Sequence, residues 1–324
     1  MKIRILTVLL LTGALSTPTI ATANEDFGAF TEWSAPVNLG APVNTGFEES
    51  APAVSDDGLS LYFNRNLTPQ NANGEDLYVS RRDRHSPTGS WQPPDPLETI
   101  NTTDFAERNA ALSRDGLLLF FSSNRPGGVG GLDLYLSRRT DRNDDDGWSA
   151  PVNRGPTVNS AAMDVGPAYV EDEAGSTVLY FTSNRTPGIG AFDIYKSTLG
   201  ADGSFGPPVL VPELSSPQAD ARPAIRADGL ELVLHSNRPW PPLSCPADSP
   251  TPSGGQDLWV STRSAVTDPW SCPVNLGPVL NSSRNDLQAN FSDGAEVLFF
   301  SSNRPGGVGI NDDLWMTKRE PQRA

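Results

Sequence analysis

Five acidic residues recur at one position of a repeated segment: Glu49, Glu107, Asp164, Asp220 and Asp286. Each precedes a short apolar run, such as Pro52-Ala53-Val54 or Pro223-Ala224-Ile225. Carboxylates gathered from several segments can bind a cation, grip a basic peptide, or divide between them the acid and base of glycoside hydrolysis. They can equally be structural, each accepting backbone N–H bonds in its own unit. Arg108, Arg222 and Arg284 stand beside or close to three of the five. A neighbouring guanidinium lowers a carboxylate pKa, so Glu49 and Asp164 are the proton donors expected of a glycosidase.

A second charged pattern frames a Gly-rich loop. Arg65, Arg125, Arg185, Arg238 and Arg304 stand before it, and Asp76, Asp133, Asp193, Asp257 and Asp313 after it. A charge-assisted hydrogen bond across each loop is expected, as a structural pair. The loop lacks the Gly-Lys-Ser/Thr of a phosphate cradle and leads into a strand, which argues against phosphate binding. The segment Asp141 to Gly147 has the acidic density of a calcium loop. Its Gly falls one residue late, however, and Val152 stands where a Glu is required, so a solvated turn is expected and no metal site is assigned. With only His85 and His235, a histidine triad or multi-histidine metal site has almost no material. No cofactor is expected. Cys245 and Cys272 are the only cysteines; in an exported chain they are expected to form one disulfide, with two free thiols as the alternative.

The elements that position these residues come from repetition. The stretch from Ser122 to Tyr135 returns almost unchanged at Ser301 to Trp315, and weaker copies sit at Asn64 to Tyr78, Thr182 to Tyr195 and Ser236 to Trp259. Every copy opens with an aromatic residue before a Pro-containing turn: Trp33, Trp91, Trp148, Phe205 or Trp270. Then comes Asn44, Asn101, Asn159 or Asn281, with Ser216 in the fourth copy, and next the acidic residue. Asp-Gly follows in four copies, at Asp57, Asp115, Asp228 and Asp293, while the third has Glu173-Ala174-Gly175. Asp-Gly between β-prone runs predicts a hairpin whose two central residues both take positive φ. Runs such as Leu118-Leu119-Phe120-Phe121 read as strands buried on both faces. The count is four short strands per unit, and the second Asp column recurs every 56 to 64 residues.

That pattern predicts an all-β chain, a single five-bladed β-propeller of four-stranded blades. The chain starts with a spare aromatic-Pro segment and ends after a third strand, so residues 33 to 39 are expected to complete the last blade and leave no free edge. Asp-Gly, an apolar strand, Ser-Asn-Arg-Pro-Gly-Gly and Asp-Leu-Tyr together resemble the WD40-like propeller repeats of the TolB type, over roughly residues 33 to 319. The departure from that family is the blade count, six in TolB, and its separate α/β domain. The resemblance implies a periplasmic binding protein.

Lys2 and Arg4, an apolar run from Ile5 to Leu15 and small residues at Ala21 to Ala23 predict a signal peptide over 1–23. The propeller then occupies 24–324, in repeats of about 33–90, 91–147, 148–204, 205–269 and 270–319. Loss of the leader moves the formal charge from −15 to −17, since Lys2 and Arg4 leave without an acid. Nucleic acid and anionic membrane surfaces are excluded as partners, and no membrane span is expected. The leading expectation is a periplasmic or secreted monomer that is not an enzyme, binding an envelope protein or glycan through its acidic face at Glu49, Glu107, Asp164, Asp220 and Asp286. The alternative is a glycoside hydrolase using carboxylates at the channel mouth.

Overall fold

A computed structural model describes residues 30–66, 74–83, 89–171, 175–239 and 250–322. The leader expected over 1–23, His85, Cys245 and much of the insertion at Trp240 to Gly254 lie outside them. The architecture is the expected one: five four-stranded antiparallel sheets, each an up-and-down blade, arranged in a ring. After β1 (Val37–Asn38), blade 1 is β2 (Glu48–Val54), β3 (Ser60–Asn66), β4 (Asp76–Arg81) and β5 (Asp95–Pro96). Blade 2 is β6 (Glu107–Leu112), β7 (Leu118–Ser123), β8 (Asp133–Arg138) and β9 (Val152–Asn153). Blade 3 is β10 (Asp164–Glu171), β11 (Thr177–Ser183), β12 (Asp193–Thr198) and β13 (Val209–Leu210). Blade 4 is β14 (Asp220–Ile225), β15 (Glu231–Ser236), β16 (Asp257–Thr262) and β17 (Val274–Asn275). Blade 5 is β18 (Asp286–Phe291), β19 (Val297–Ser302) and β20 (Asp313–Lys318), completed by β1, with Val37 opposite Met316 and Asn38 opposite Trp315.

The Asp-Gly hairpin forms, but with different turn geometry from the one expected. Gly58, Gly116 and Gly229 take φ of 68°, 72° and 74°, while the Asp before each keeps negative φ. The reversal is longer than two residues: Ser55 N–H donates to the Ser60 carbonyl and Gly58 N–H to the Ser55 carbonyl. Asp57 is therefore freed to accept the Leu59 N–H at 3.1 Å and the Ser55 hydroxyl at 2.8 Å, an Asx-type turn.

Hydrophobic burial lies between blades. One cluster joins blades 1 and 2 through Tyr62, Leu77, Ile100, Leu119 and Phe121. Another closes the ring between blades 5 and 1 through Val43, Leu61, Phe63, Phe299 and Leu314. The aromatic column seals the outside of each seam. Trp148 meets Tyr62 edge-on at 6.3 Å, and Arg139 lies 4.4 Å from the Trp148 ring centroid while its Nε donates to the Gly116 carbonyl at 2.6 Å. Arg82 on Trp91, Arg263 on Trp270 and Arg319 on Trp33 repeat that stack.

A further inter-blade link sits at the channel. Every innermost strand bulges two residues after its acidic residue, at Ala51, Asn109, Gly166, Arg222 and Gln288, all with positive φ. The bulge turns one backbone N–H out of the ladder, and a side chain of the preceding blade accepts it. The acceptors are Ser301 for Ala51, Asn64 for Asn109, Ser122 for Gly166, Thr182 for Arg222 and His235 Nδ1 for Gln288. His235 is thus the fifth member of a structural ring, and burial beside Arg222 pulls its pKa down to about 3. It stays neutral, as an acceptor must.

Candidate functional site

The five acidic residues do not form an open acidic face. All are 0% exposed, and each is locked into the same local arrangement. Glu49 accepts Thr45 N–H at 2.9 Å and Arg65 Nε at 2.9 Å. Glu107 accepts Thr102 N–H at 2.7 Å and pairs with Arg125 at 3.0 Å. Asp164 accepts Ser160 N–H at 2.6 Å and pairs with Arg185 at 2.5 Å. Asp220 with Ser216 and Arg238, and Asp286 with Ser282 and Arg304, complete the set. Each arginine also donates to a backbone carbonyl, as Arg65 does to Val43 at 2.9 Å, and stacks on aromatic rings, as Arg125 does on Phe121 and Tyr135. The expected proton donors Glu49 and Asp164 are therefore as firmly ion-paired as the other three. Sequence neighbours misled here. The pairing arginine arrives across a strand, 16 to 21 residues later, and Arg108, Arg222 and Arg284 are not the partners.

This arrangement also replaces the Arg–Asp pair expected across each Gly-rich loop. Arg125, Arg185, Arg238 and Arg304 serve the acidic column, while Asp133, Asp193, Asp257 and Asp313 hold the loop backbone. Asp193 accepts Ile189 N–H at 2.7 Å and Gly190 N–H at 3.1 Å, and Asp133 takes Val129 and Gly130 in the same way. The glycines follow from this wrap: a Cβ at Gly128 would run into the Asp133 carboxylate, and one at Gly130 into the carbonyls of Ser160 and Ala162. The fourth copy's counterpart of the Asn column is Ser215, bonded to Ile194 N–H, and not Ser216, which caps Asp220.

The acidic segment at Asp141 to Gly147 is anchored and not simply solvated. Asp145, 4% exposed, accepts from the Ser60 hydroxyl at 2.6 Å, the Tyr62 hydroxyl, Arg81 at 3.1 Å and Arg139 at 2.6 Å. These partners hold its carboxyl below the usual range. Cys272 is disulfide-bonded, and Cys245 lies outside the described residues. Among the described residues no helix is long and apolar enough to cross a membrane.

Chemistry is better served where the fivefold repeat is broken. The residue before each third strand lends its carbonyl to the next blade's acidic N–H, as Asp312 does to Glu49 and Glu75 to Glu107. In chain order that column reads Glu75, Leu132, Phe192, Gln256 and Asp312. The residue before each acidic one reads Glu48, Ala106, Met163, Ala219 and Asn285. The extra acids fall only at the two adjoining seams where blades 5, 1 and 2 meet, on the Gly-rich-loop end of the channel. Glu75 is ion-paired with Arg108 at 3.0 Å and faces Asn64 at 3.3 Å. Burial and the Glu75 charge push Glu48 up. Burial, then Glu48, Asp286, Asp313 and Glu75, push Asp312 up to about 6. Glu75 also acts electrostatically on Arg222 in the channel. Two carboxylates in unlike environments, one holding a proton near neutrality and one balanced by a guanidinium, are what paired acid and base chemistry requires.

No protein-family model and no curated protein matches the sequence, so the WD40-like character of the repeat motifs has no family match behind it. Among solved structures, the chain is similar to an α-L-arabinofuranosidase from Lactobacillus brevis, with TM-score 0.56 and 12% identity over 87% of this chain and 92% of that one. It is similar to the arabinanase of Bacillus subtilis, with TM-score 0.56 and 15% identity over 87% and 97%. It is also similar to an endo-arabinase from Bacteroides thetaiotaomicron, with TM-score 0.54 and 16% identity over 91% and 98%. At such identities the likeness is one of fold. It nonetheless corrects the expectation of a chain that is not an enzyme, because the propellers it resembles are glycoside hydrolases.

Proposed function

We propose that the chain is an exported glycoside hydrolase acting at the Gly-rich-loop end of the channel on arabinose- or xylose-containing glycans. The observation that carries this reading is the pairing of Asp312 and Glu75 in opposed electrostatic settings at one mouth. Asp312 gives its proton to the glycosidic oxygen as the bond to the anomeric carbon breaks. Glu75 takes a proton from the water whose oxygen attacks that carbon, and Arg108 orients Glu75. Glu48 keeps the Asp312 proton in place by like-charge repulsion. The arabinan- and xylan-directed names of the structural neighbours supply the substrate class, and Lys2, Arg4 and the apolar run after them supply export.

Hydrolysis of aryl α-L-arabinofuranosides and of arabinan and xylan fragments tests the proposal. Asp312→Asn and Glu75→Gln should each lower kcat/KM by about 10²- to 10⁴-fold while the ring still melts cooperatively. In the parent, kcat/KM should fall as pH rises through about 6, where the donor loses its proton. Turnover unchanged in both variants, or absent from the parent on every substrate, removes the assignment.

A further inference from the structure

We propose that the channel holds a small monovalent anion, a halide or a formate-sized carboxylate, against Arg222 on the hairpin side of the ring. Arg222 occupies the bulge position that Ala51, Asn109, Gly166 and Gln288 fill in the other blades. Its side chain crosses to blades 1 and 2, where Nη2 donates to the carbonyls of Ala51 at 3.2 Å, Pro52 at 3.4 Å and Ala110 at 3.3 Å. These are long contacts for a charged donor. The residue is 5% exposed, and Nη1 is buried with no partner among the described residues.

The contrast with the other buried arginines is direct. Arg238, equally buried, is paired with Asp220, whereas among the described residues no carboxylate ion-pairs with Arg222. Burial lowers the Arg222 pKa only to about 9, so the guanidinium is charged at neutral pH; the Glu75 carboxylate acts on it from a distance but is ion-paired with Arg108. An uncompensated buried charge calls for a counter-charge.

The space beside it fits one. Arg222 lines a cavity of about 120 Å³ whose walls include Ala53, Ala110, Pro167, Ala224, Ala289 and Asn290. That space is ample for a small ion with some of its hydration. One guanidinium between alanine and proline walls can strip water from a monovalent anion, but a sulfate or phosphate would keep too much uncompensated charge. Asp56 and Glu171 at the cavity's edge further disfavour polyanions.

Thermal unfolding in chloride, formate, acetate or gluconate at one ionic strength reads this site. Gluconate, large and strongly hydrated, is the weakly binding reference. From 1 to 100 mM chloride or formate the parent's Tm should rise saturably by about 3–6 °C, whereas Arg222→Met should not respond. Chloride-35 line broadening by the parent, reversed by formate, reads the same site without any variant and decides the matter if Arg222→Met does not fold. A response to chloride assigns a halide, and one confined to formate and acetate assigns a carboxylate. Equal Tm in all four salts, an equal response in Arg222→Met, or unbroadened chloride lines each overturn the proposal.

Discussion

The molecule holds carboxylates in two ways, and the contrast separates framework from chemistry. Glu49, Glu107, Asp164, Asp220 and Asp286 repeat one solution five times: zero exposure, a hydroxyl or backbone cap and a stacked arginine. At the mouth, Arg108 pairs with Glu75 and also acts on Glu48, while burial and neighbouring carboxylates raise the proton affinity of Glu48 and Asp312. In a ring built by repetition, a feature present in every blade serves the blade. A feature present at only two adjoining seams is free to serve a substrate.

Both groups meet at the seam that the N-terminal segment closes, and the largest effect is expected from opening it. Deleting residues 24–40 removes β1, the Trp33–Arg319 stack and the Asn38–Asp313 bond at 2.9 Å. Blade 5 then has an open edge, and calorimetry should show cooperative unfolding lost. A truncated chain that melts as sharply and as hot as the parent would disconnect closure from stability.

Breaking one framework pair should come next. Arg238→Met leaves the Asp220 carboxylate buried without its partner and should destabilise by about 3–5 kcal/mol in urea unfolding. A loss no larger than a surface change would mean that the column is dispensable to the framework.

How much of this could be read in the chain depended on whether a residue's partner was local. The hairpins, the aromatic column and ring closure were legible, because a turn glycine and a Trp-Pro segment announce themselves over a few residues. Ion-pair partners were not: Arg125 and Asp133 flank one loop, yet Arg125 belongs to Glu107 on the neighbouring innermost strand. The mouth carboxylates did leave a signal, since the column Glu75, Leu132, Phe192, Gln256, Asp312 is acidic only in two members that adjoin once the ring closes. Reading it needed that adjacency, which exists in space and not in sequence. His235 was opaque for the same reason, its partner Gln288 lying in the next blade at 3.2 Å.

His235 gives a pH-dependent form of the comparison. Its folded pKa of about 3 lies below an unfolded value of about 6.5. The unfolded chain therefore binds the extra proton, and stability from this group is complete above about pH 6.5 and lost progressively towards pH 3. His235→Asn keeps an acceptor for Gln288 N–H but does not titrate, so its urea stability should fall less on acidification, by about 3 kcal/mol between pH 7 and pH 4. Parallel pH profiles for parent and variant would show that His235 is not neutral by necessity.

Asp312 should give the smallest effect, with the opposite sign. Its folded pKa of about 6 stands above an unfolded value of about 3.9. Between those values the folded chain holds the proton and the unfolded one does not, so this group's contribution declines as pH rises from about 4 to 6 and stays unfavourable above. Two units correspond to about 3 kcal/mol at most, and partial solvent access reduces that to about 1 kcal/mol. Asp312→Asn should therefore be more stable than the parent at pH 7 by about 1 kcal/mol and equal to it at pH 4, while its hydrolytic activity collapses. A framework acid cannot behave this way, since removing one of its charges strands an arginine. If Asp312→Asn is instead destabilised at pH 7, as Arg238→Met should be, then Asp312 belongs with the five buried pairs and the mouth loses its proton donor.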